Sequence, residues 1–194
     1  EPEEVAVLYD EVIRLRGLVG ELQDLSRLEA GHAMLDKTLI AFPAYFSDFQ
    51  VLLEAEAESR NIDLRVDIAS DVEYCYADPK RLKQIILNLI NNAFRYTAEG
   101  GIVTVRVWQD KNEFYFSVQD TDIGIASDEL DRIFERFYRT DQSRDRESGG
   151  SGLGLAITKA LVDAHDGWIK VASRLHEGTT FTVMLPHWNG MDAK

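Results

Sequence analysis

Hydrophobic positions at the start of the chain recur with the period of an α-helix. Alternating spacings of three and four residues are typical of a helix that packs against another helix. The seam comprises Val5, Leu8, Val12, Leu15, Val19 and Leu22. Leu18, Leu25 and Leu28 widen the stripe, as in a helical bundle, and Gly31 is a reasonable helix end. A single helix cannot bury this stripe, so its partner helix is either missing or supplied by another chain.

Beyond residue 33 the pattern switches repeatedly between the strand period and the helix period. We predict strands at 34–41, 63–68, 74–76, 102–109, 113–119 and 178–186, with a hairpin turning near 110–112. We predict helices at 43–60, 79–97, briefly between Ser127 and Ile133, and from Leu153 to Val162. In the helix at 43–60, the side chains expected to face the core are Phe46, Phe49, Leu52 and Leu53.

A glycine-rich run opens the helix that starts near Leu153. Glycines stand at positions 149, 150, 152 and 154. Such a turn can direct several backbone N–H groups and the positive end of a helix dipole at one point, where an anion is stabilised. A plain flexible turn is the alternative interpretation.

A row of polar side chains lies on the otherwise apolar helix at 79–97. Asn88, Asn92, Arg95 and Tyr96 are spaced i, i+4, i+7 and i+8, so they share one face. The adjoining face carries Leu82, Ile86, Leu89, Ile90 and Ala93. An amide oxygen can ligate Mg²⁺ and an arginine can bind phosphate, whereas caps and surface amides are the alternative. Asp78 and Pro79 fit the N-cap and first position of this helix.

Asp120 ends the alternating strand that begins near Phe114. A carboxylate at the mouth of a strand can accept a hydrogen bond from an exocyclic amine, which would distinguish adenine from guanine. Alternatively, Asp120 begins an ordinary turn. The strand at 178–186, entered through Gly178, Thr179 and Thr180, has no distinctive chemistry by itself.

Taken in order, these segments resemble the N, G1, F, G2 and G3 boxes of sensor histidine kinases, members of the GHKL group of ATP-binding proteins. The F box corresponds to 133–139 and the resemblance covers roughly residues 34–187. It implies an α+β fold of the Bergerat type: a two-layer α/β sandwich in which helices cover a mixed sheet, preceded here by a long N-terminal helix. It divides the chain into residues 1–31, a partial dimerisation and histidine-phosphotransfer hairpin, and 32–194, a catalytic ATP-binding domain with a lid at about 126–150.

The resemblance also implies a role for individual residues. Asn92 matches the Mg²⁺ ligand, and Asn88 a companion position that contacts metal or phosphate; these two are the expected catalytic residues. Asp120 matches the carboxylate that recognises adenine, and Thr180 a hydroxyl near the base. The other expected ATP-binding residues are Arg95, Tyr96, Gly124, Ile125, Tyr138, Arg139, Gly152, Leu153, Gly154 and Leu155.

Position 122 departs from the family pattern. After the adenine-binding carboxylate the family usually has x-Gly-x-Gly, but Asp122 occupies the first glycine position. Its charge would lie near a polyanionic ligand, so we expect weaker nucleotide affinity. The alternative function is a regulatory or interaction module of the same fold that is impaired in nucleotide binding. Titrating Mg-ATP against the chain and its Asp122→Gly variant tests this, and equal dissociation constants would contradict it.

None of the four histidines stands in the context of the family's phospho-accepting histidine. They are His32, His165, His176 and His187; His165 falls where the family has a structural histidine. The resemblance therefore implies a γ-phosphate transfer to a histidine outside this chain, on a helix of the same protein or its dimer partner, followed by signalling to a response regulator. We do not expect the chain to phosphorylate itself.

Composition narrows the class of protein further. The chain has 194 residues, 45% of them hydrophobic, which suits one globular domain plus a helix. A net charge of −13 argues against a nucleic-acid partner. The single cysteine, Cys75, excludes a disulfide within the chain. The sequence has no apolar stretch long enough to span a membrane, so we predict no membrane contact from it and expect a cytoplasmic location. The sensors that it resembles are homodimeric and often anchored in a membrane.

Overall fold

Helices and strands alternate along most of the chain. The computed structural model describes residues 2–31, 34–111, 113–121, 123–139 and 150–187. Within these ranges the helices are α1 (Pro2–Glu29), α2 (Phe42–Ser59), α3 (Pro79–Tyr96) and α4 (Gly154–Ala164). The strands are β1 (Thr38–Ala41), β2 (Asp63–Ile68), β3 (Tyr74–Ala77), β4 (Ile102–Asp110), β5 (Glu113–Asp120), β6 (Trp168–Arg174) and β7 (Gly178–Pro186).

Five of the strands form a mixed sheet in the order β2-β4-β5-β7-β6. Strand β2 runs parallel to β4, and every other pairing in this sheet is antiparallel. Strands β1 and β3 form a separate antiparallel pair. Helices α2, α3 and α4 contact the sheet. The predicted α+β sandwich with a mixed sheet is therefore confirmed, as is the β4–β5 hairpin.

Alternate side chains of the central strands form the core between the sheet and the helices. On β4 the residues Val103, Val105 and Val107 are buried, and Phe114, Phe116 and Val118 follow the same rule on β5, because successive side chains of a strand point to opposite faces. The buried residues of α3 are Leu82, Ile85, Ile86, Leu89, Ile90, Ala93 and Phe94. This includes the whole predicted apolar face, so the polar row of α3 is held at the border of the core.

Helix α1 is attached to the domain by its C-terminal part. Leu25 and Leu28 are buried within the main core cluster, and α1 packs against α4. Two ion pairs fasten it: Asp24 to Arg81 at 3.0 Å, and Glu29 to Arg136 of the segment 123–139. The side-chain hydrogen bond from Arg81 lowers the pKa of Asp24.

The N-terminal part of α1 leaves its seam exposed. Val5, Leu8, Val12, Leu15 and Val19 are each more than half exposed. This agrees with the expectation that the helix needs a partner.

Three predictions of local structure were wrong. Leu52 is 71% exposed, because the buried stripe of α2 runs through Phe46, Phe49 and Leu53 and passes to one side of it. The strand expected at 34–41 is restricted to Thr38–Ala41, the length of its partner β3. The short helix expected between Ser127 and Ile133 is a series of turns.

Among the described residues, no helix combines the length and apolar character needed to cross a lipid bilayer.

Candidate functional site

A cavity of about 510 Å³ opens where α3, the end of β5, the segment 123–139 and the loop before α4 come together. Its volume lies within the range of small-molecule sites, about 300–1,000 Å³. Twelve of the residues predicted for the site line it: Asn88, Asn92, Arg95, Tyr96, Asp120, Gly124, Ile125, Tyr138, Arg139, Gly152, Gly154 and Leu155.

Helix α3 carries the polar row into this cavity and begins where the sequence indicates. Asp78 is its N-cap and accepts a hydrogen bond from the backbone N–H of Arg81 at 3.1 Å. One turn into the row, the Asn88 amide nitrogen donates to the Gly154 carbonyl at 3.2 Å and to the Thr158 hydroxyl at 3.3 Å. These bonds tie the amide row of α3 to the first turn of α4. They use the nitrogen of Asn88, whereas a metal ion would need the amide oxygen.

The carboxylate of Asp120 closes the opposite end of the cavity. Asp120 is 5% exposed, and its Oδ1 accepts a hydrogen bond from the backbone N–H of Thr179 at 3.0 Å. The start of β7 thus fixes the orientation of a buried acceptor at the mouth of β5. Nearby, the backbone N–H of Ile125 donates to the Ser173 hydroxyl at 2.8 Å, which holds the chain beside Gly124 against β6.

The glycine loop is packed against both α3 and the segment 123–139. Gly152 has a positive φ of 72°, and a Cβ there would lie 2.8 Å from the Cα of Phe137. The Phe137 N–H donates to the Gly152 carbonyl at 2.9 Å. A Cβ on Gly150 would come 2.0 Å from Nη1 of Arg95. Arg95 therefore lies beside the loop. Side chains at Gly150 and Gly152 would disturb the packing of the loop.

Tyr138 and Arg139 border the cavity on the side of the predicted lid. The Tyr138 hydroxyl donates to a carboxylate oxygen of Glu129 at 3.1 Å, and the guanidinium of Arg132 lies 4.4 Å from the centre of the Tyr138 ring. Residues 140–149, the polar part of the predicted lid at about 126–150, lie outside the described residues, as does Asp122.

Two predicted site residues are placed elsewhere. Leu153 is fully buried, beneath the loop and in the core. Of the two threonines at the start of β7, Thr179 lines the cavity and Thr180 does not. Adjacent strand positions face opposite sides of the sheet, so only one of the two threonines can face the site.

His165 is a structural residue. Its side chain is 1% exposed; Nε2 accepts the backbone N–H of Asp78 at 3.1 Å, and Nδ1 lies 2.7 Å from the Leu161 carbonyl. This arrangement requires a neutral ring with its proton on Nδ1. Burial lowers the pKa of His165, which favours the neutral form.

Sequence reasoning missed several residues that line the cavity. They are Arg14, Gly17, Leu18, Glu21, Asn91, Ile123, Ile133, Gly150, Ser151, Thr179 and Phe181. Asn91 lies three residues after Asn88 and four before Arg95, so helix periodicity could have suggested it. Thr179 is the other of the two faces that strand alternation offers at the start of β7. The four from α1 depend on how that helix docks, which its own sequence does not reveal.

A family model described as histidine kinase-, DNA gyrase B- and HSP90-like ATPases matches residues 77–189. The chain belongs to this family. The match extends from the residue before the Asp78 cap to just beyond β7, and so includes the amide row, Asp120 and the glycine loop. The matched segment therefore contains most of the residues that line the cavity.

Curated relatives of this ATPase-family domain are sensor kinases. The circadian input-output histidine kinase CikA of Synechococcus elongatus is 38% identical over 186 residues, 95% of this chain and 25% of the relative. The sensor histidine kinase RppB of Synechocystis sp. is 39% identical over 173 residues, 89% of this chain and 38% of the relative. The chain thus spans between a quarter and two-fifths of the length of these relatives.

Solved structures of similar fold are histidine kinases as well. Full-length ShkA in complex with AMPPNP superposes with a TM-score of 0.84 at 30% identity, covering 96% of this chain and 38% of that one. ThkA in complex with the response regulator TrrA gives a TM-score of 0.73 at 25% identity, covering 94% of this chain and 50% of that one. The chain is therefore an ATP-binding catalytic domain of the histidine kinase type.

Proposed function

We propose that this domain binds Mg-ATP in the cavity and transfers the γ-phosphate to a histidine outside the chain. The observation that carries the proposal is the meeting of a buried carboxylate, a row of amides and a glycine loop in one cavity. In this proposal residues 1–31 belong to the helical hairpin that presents the histidine, and 32–194 form the catalytic domain with a lid at about 126–150.

Adenine would occupy the end of the cavity beside Asp120. The fixed Oδ1–Thr179 bond leaves the carboxylate suited to accept the exocyclic amine of adenine, with Gly124 and Ile125 alongside the base. A guanine would present a carbonyl to the same carboxylate. A buried acceptor without a donor is costly, so the site would select adenine.

The triphosphate would extend towards the glycine loop and α3. Backbone N–H groups at the start of α4 and the guanidinium of Arg95 would bind phosphate oxygens, with Tyr96, Tyr138, Arg139 and the 152–155 segment around them. The amide oxygens of Asn92 and Asn88 suit Mg²⁺, which prefers hard oxygen ligands. When bound, the ion would neutralise charge on the phosphates.

The chemistry would depend mainly on positioning. The bond between the γ-phosphorus and the β,γ-bridging oxygen breaks, and a bond forms from phosphorus to the unprotonated nitrogen of the acceptor imidazole. The other ring nitrogen then releases its proton to solvent, and ADP leaves. The burial of His165 supports an external acceptor, because its two ring nitrogens are engaged by Asp78 and Leu161. We further propose a cytoplasmic homodimer that passes the phosphoryl group to a response regulator.

Adenine recognition can be tested with Asp120→Asn. The amide keeps the shape of the carboxylate but presents a donor towards the amine, so AMPPNP affinity measured by calorimetry should fall about 10- to 100-fold. Asp110→Asn, at the exposed far end of the same hairpin, should leave affinity unchanged. Unaltered binding by a folded Asp120→Asn protein would contradict the assignment of the adenine end.

Phosphotransfer can be tested by adding labelled ATP and a separate histidine-bearing hairpin to this domain. Label on the hairpin, lost when its histidine is replaced, is the expected result. Nucleotide binding without transfer to the hairpin would instead favour the regulatory alternative suggested by Asp122.

A further inference from the structure

Helix α1 contributes one wall of the nucleotide cavity. Arg14, Gly17, Leu18 and Glu21 all line the cavity together with Asn92 and the glycine loop. Their spacing of i, i+3, i+4 and i+7 places all four on one face of the helix. The same face continues into Leu25 and Leu28, which are buried.

This face is separate from the exposed apolar seam of α1. Leu15 and Val19 of the seam follow Arg14 and Leu18 by one residue, and each residue turns the helix by about 100°. A helix can therefore use the seam to pack against another helix while its second face borders the nucleotide site. The two functions do not compete for the same side chains.

The wall is fixed in place immediately beyond the cavity. The core contacts of Leu25 and Leu28, and the pairs Asp24–Arg81 and Glu29–Arg136, hold the last turns of α1 on the domain. Because Arg81 lies in the first turn of α3 and Arg136 in the segment 123–139, α1 is anchored to two of the elements that border the cavity. Its cavity-facing side chains are one to three turns from these anchors.

Gly17 leaves the middle of this wall without a side chain. A glycine inside a helix costs about 1 kcal/mol relative to alanine, and a Cβ built at Gly17 meets nothing within 4 Å. Packing within the described structure therefore does not explain the glycine. Its position between Arg14 and Glu21 leaves room along the wall for a ligand.

The geometry points to Arg14 as a residue that binds the phosphates of the nucleotide and to Glu21 as a residue that repels them. This inference rests on the proposed function, in which the cavity holds that nucleotide. Arg14 has a 60% exposed side chain, paired along the helix only with Glu11 at 3.3 Å among its described contacts. In a chain of net charge −13, a cation at the wall attracts a polyanion and a carboxylate at the wall repels it. Through these two residues of α1, the affinity of the site would thus depend on the charge of the nucleotide.

Calorimetric titration of the whole chain with Mg-AMPPNP and with AMP tests this assignment. Arg14→Ala should weaken AMPPNP binding about 3- to 10-fold, a modest factor because the side chain is partly exposed, and should leave AMP binding within about twofold. Glu21→Gln should strengthen AMPPNP binding about 2- to 5-fold. Arg16→Ala, which removes a cation two residues along and on the opposite side of the helix, is the matched control and should alter neither titration.

The outcomes separate this inference from the proposed function. If the unaltered chain binds AMPPNP but Arg14→Ala binds it equally well, or if Arg16→Ala weakens it as much, the role of Arg14 is overturned while nucleotide binding stands. If the unaltered chain binds no AMPPNP, both fail. Matching circular dichroism spectra and melting curves for all variants exclude loss of fold as the cause.

Discussion

The imidazole of His165 joins two helices, α3 and α4, that border the proposed nucleotide site. It accepts the N–H of Asp78, the cap of α3, and contacts Leu161 of α4. Since α3 carries the amide row and α4 begins at the glycine loop, one neutral ring holds the two sides of the site in register. A second proton would remove the acceptor at Nε2.

We therefore expect stability to fall with mild acid through His165. Burial lowers its folded-state pKa below the usual 6.5, so the unfolded chain takes up the proton first. The contribution of neutral His165 to the free energy of unfolding is complete above about pH 6.5 and is lost as the pH falls below that value. His165→Gln should reduce the free energy of unfolding by about 1–3 kcal/mol at pH 7.5. It should also make that free energy less dependent on pH between pH 5 and 7.5. Urea denaturation at several pH values measures both effects.

The exposed His176 provides the control for this experiment. It adopts a positive φ of 64°, which asparagine tolerates, so His176→Asn should change the free energy of unfolding at pH 7.5 by no more than about 0.5 kcal/mol. The Asp24–Arg81 pair does not interfere, because the pKa of Asp24 is lowered from 3.8 and its contribution is lost only in stronger acid. An unchanged slope in His165→Gln would refute the assignment.

At the scale of elements, the glycine loop and the segment around Phe137 support each other. The loop carbonyl of Gly152 accepts from Phe137, and the close approach of the two backbones leaves no room for a Cβ. Gly154, by contrast, has open space around the position of a Cβ and begins α4. The two glycines differ in what they require.

Alanine substitutions should reveal this difference. Gly152→Ala combines an unfavourable left-handed φ with a backbone clash and should cost at least about 1–2 kcal/mol, lowering Tm by about 2–8 °C. Gly154→Ala should leave Tm unchanged or raise it slightly, because alanine favours a helix. Scanning calorimetry measures both, and equal Tm values would contradict the role given to Gly152.

The same elements show what periodicity could predict and what it could not. The burial of α3, the Asp78 cap and the β4–β5 hairpin follow from local pattern. Leu52 was misplaced because two adjacent leucines satisfy helical spacing almost equally, and packing against the sheet buries only Leu53. Thr180 was assigned from the family resemblance, and strand alternation alone does not say which of Thr179 and Thr180 borders the cavity. Arg14 and Glu21 were missed because the orientation of α1 is set by tertiary contacts.

At the scale of the whole molecule, the last turns of α1 are part of the domain core. Leu25 is fully buried whereas Leu15 is 51% exposed on the same helix. The exposed part is suited to another helix, and the buried part belongs to the fold that forms the site.

This division predicts a contrast between two leucine substitutions. Leu25→Ala should lower the free energy of unfolding by about 2–5 kcal/mol, through lost burial and an unfilled cavity. Leu15→Ala should change it by no more than about 0.5 kcal/mol in dilute solution. Denaturant titrations at low protein concentration measure both, and similar losses would show that α1 is stabilised as a unit.

Trimming the chain to a minimal catalytic fragment that starts near residue 32 would remove more than a connector. It would strip Arg14, Leu18 and Glu21 from the rim of the cavity and expose the core surface that Leu25 covers. Affinities and inhibitor rankings obtained on such a truncated protein would describe a wider and differently charged pocket. Ligand screening should therefore retain the helix.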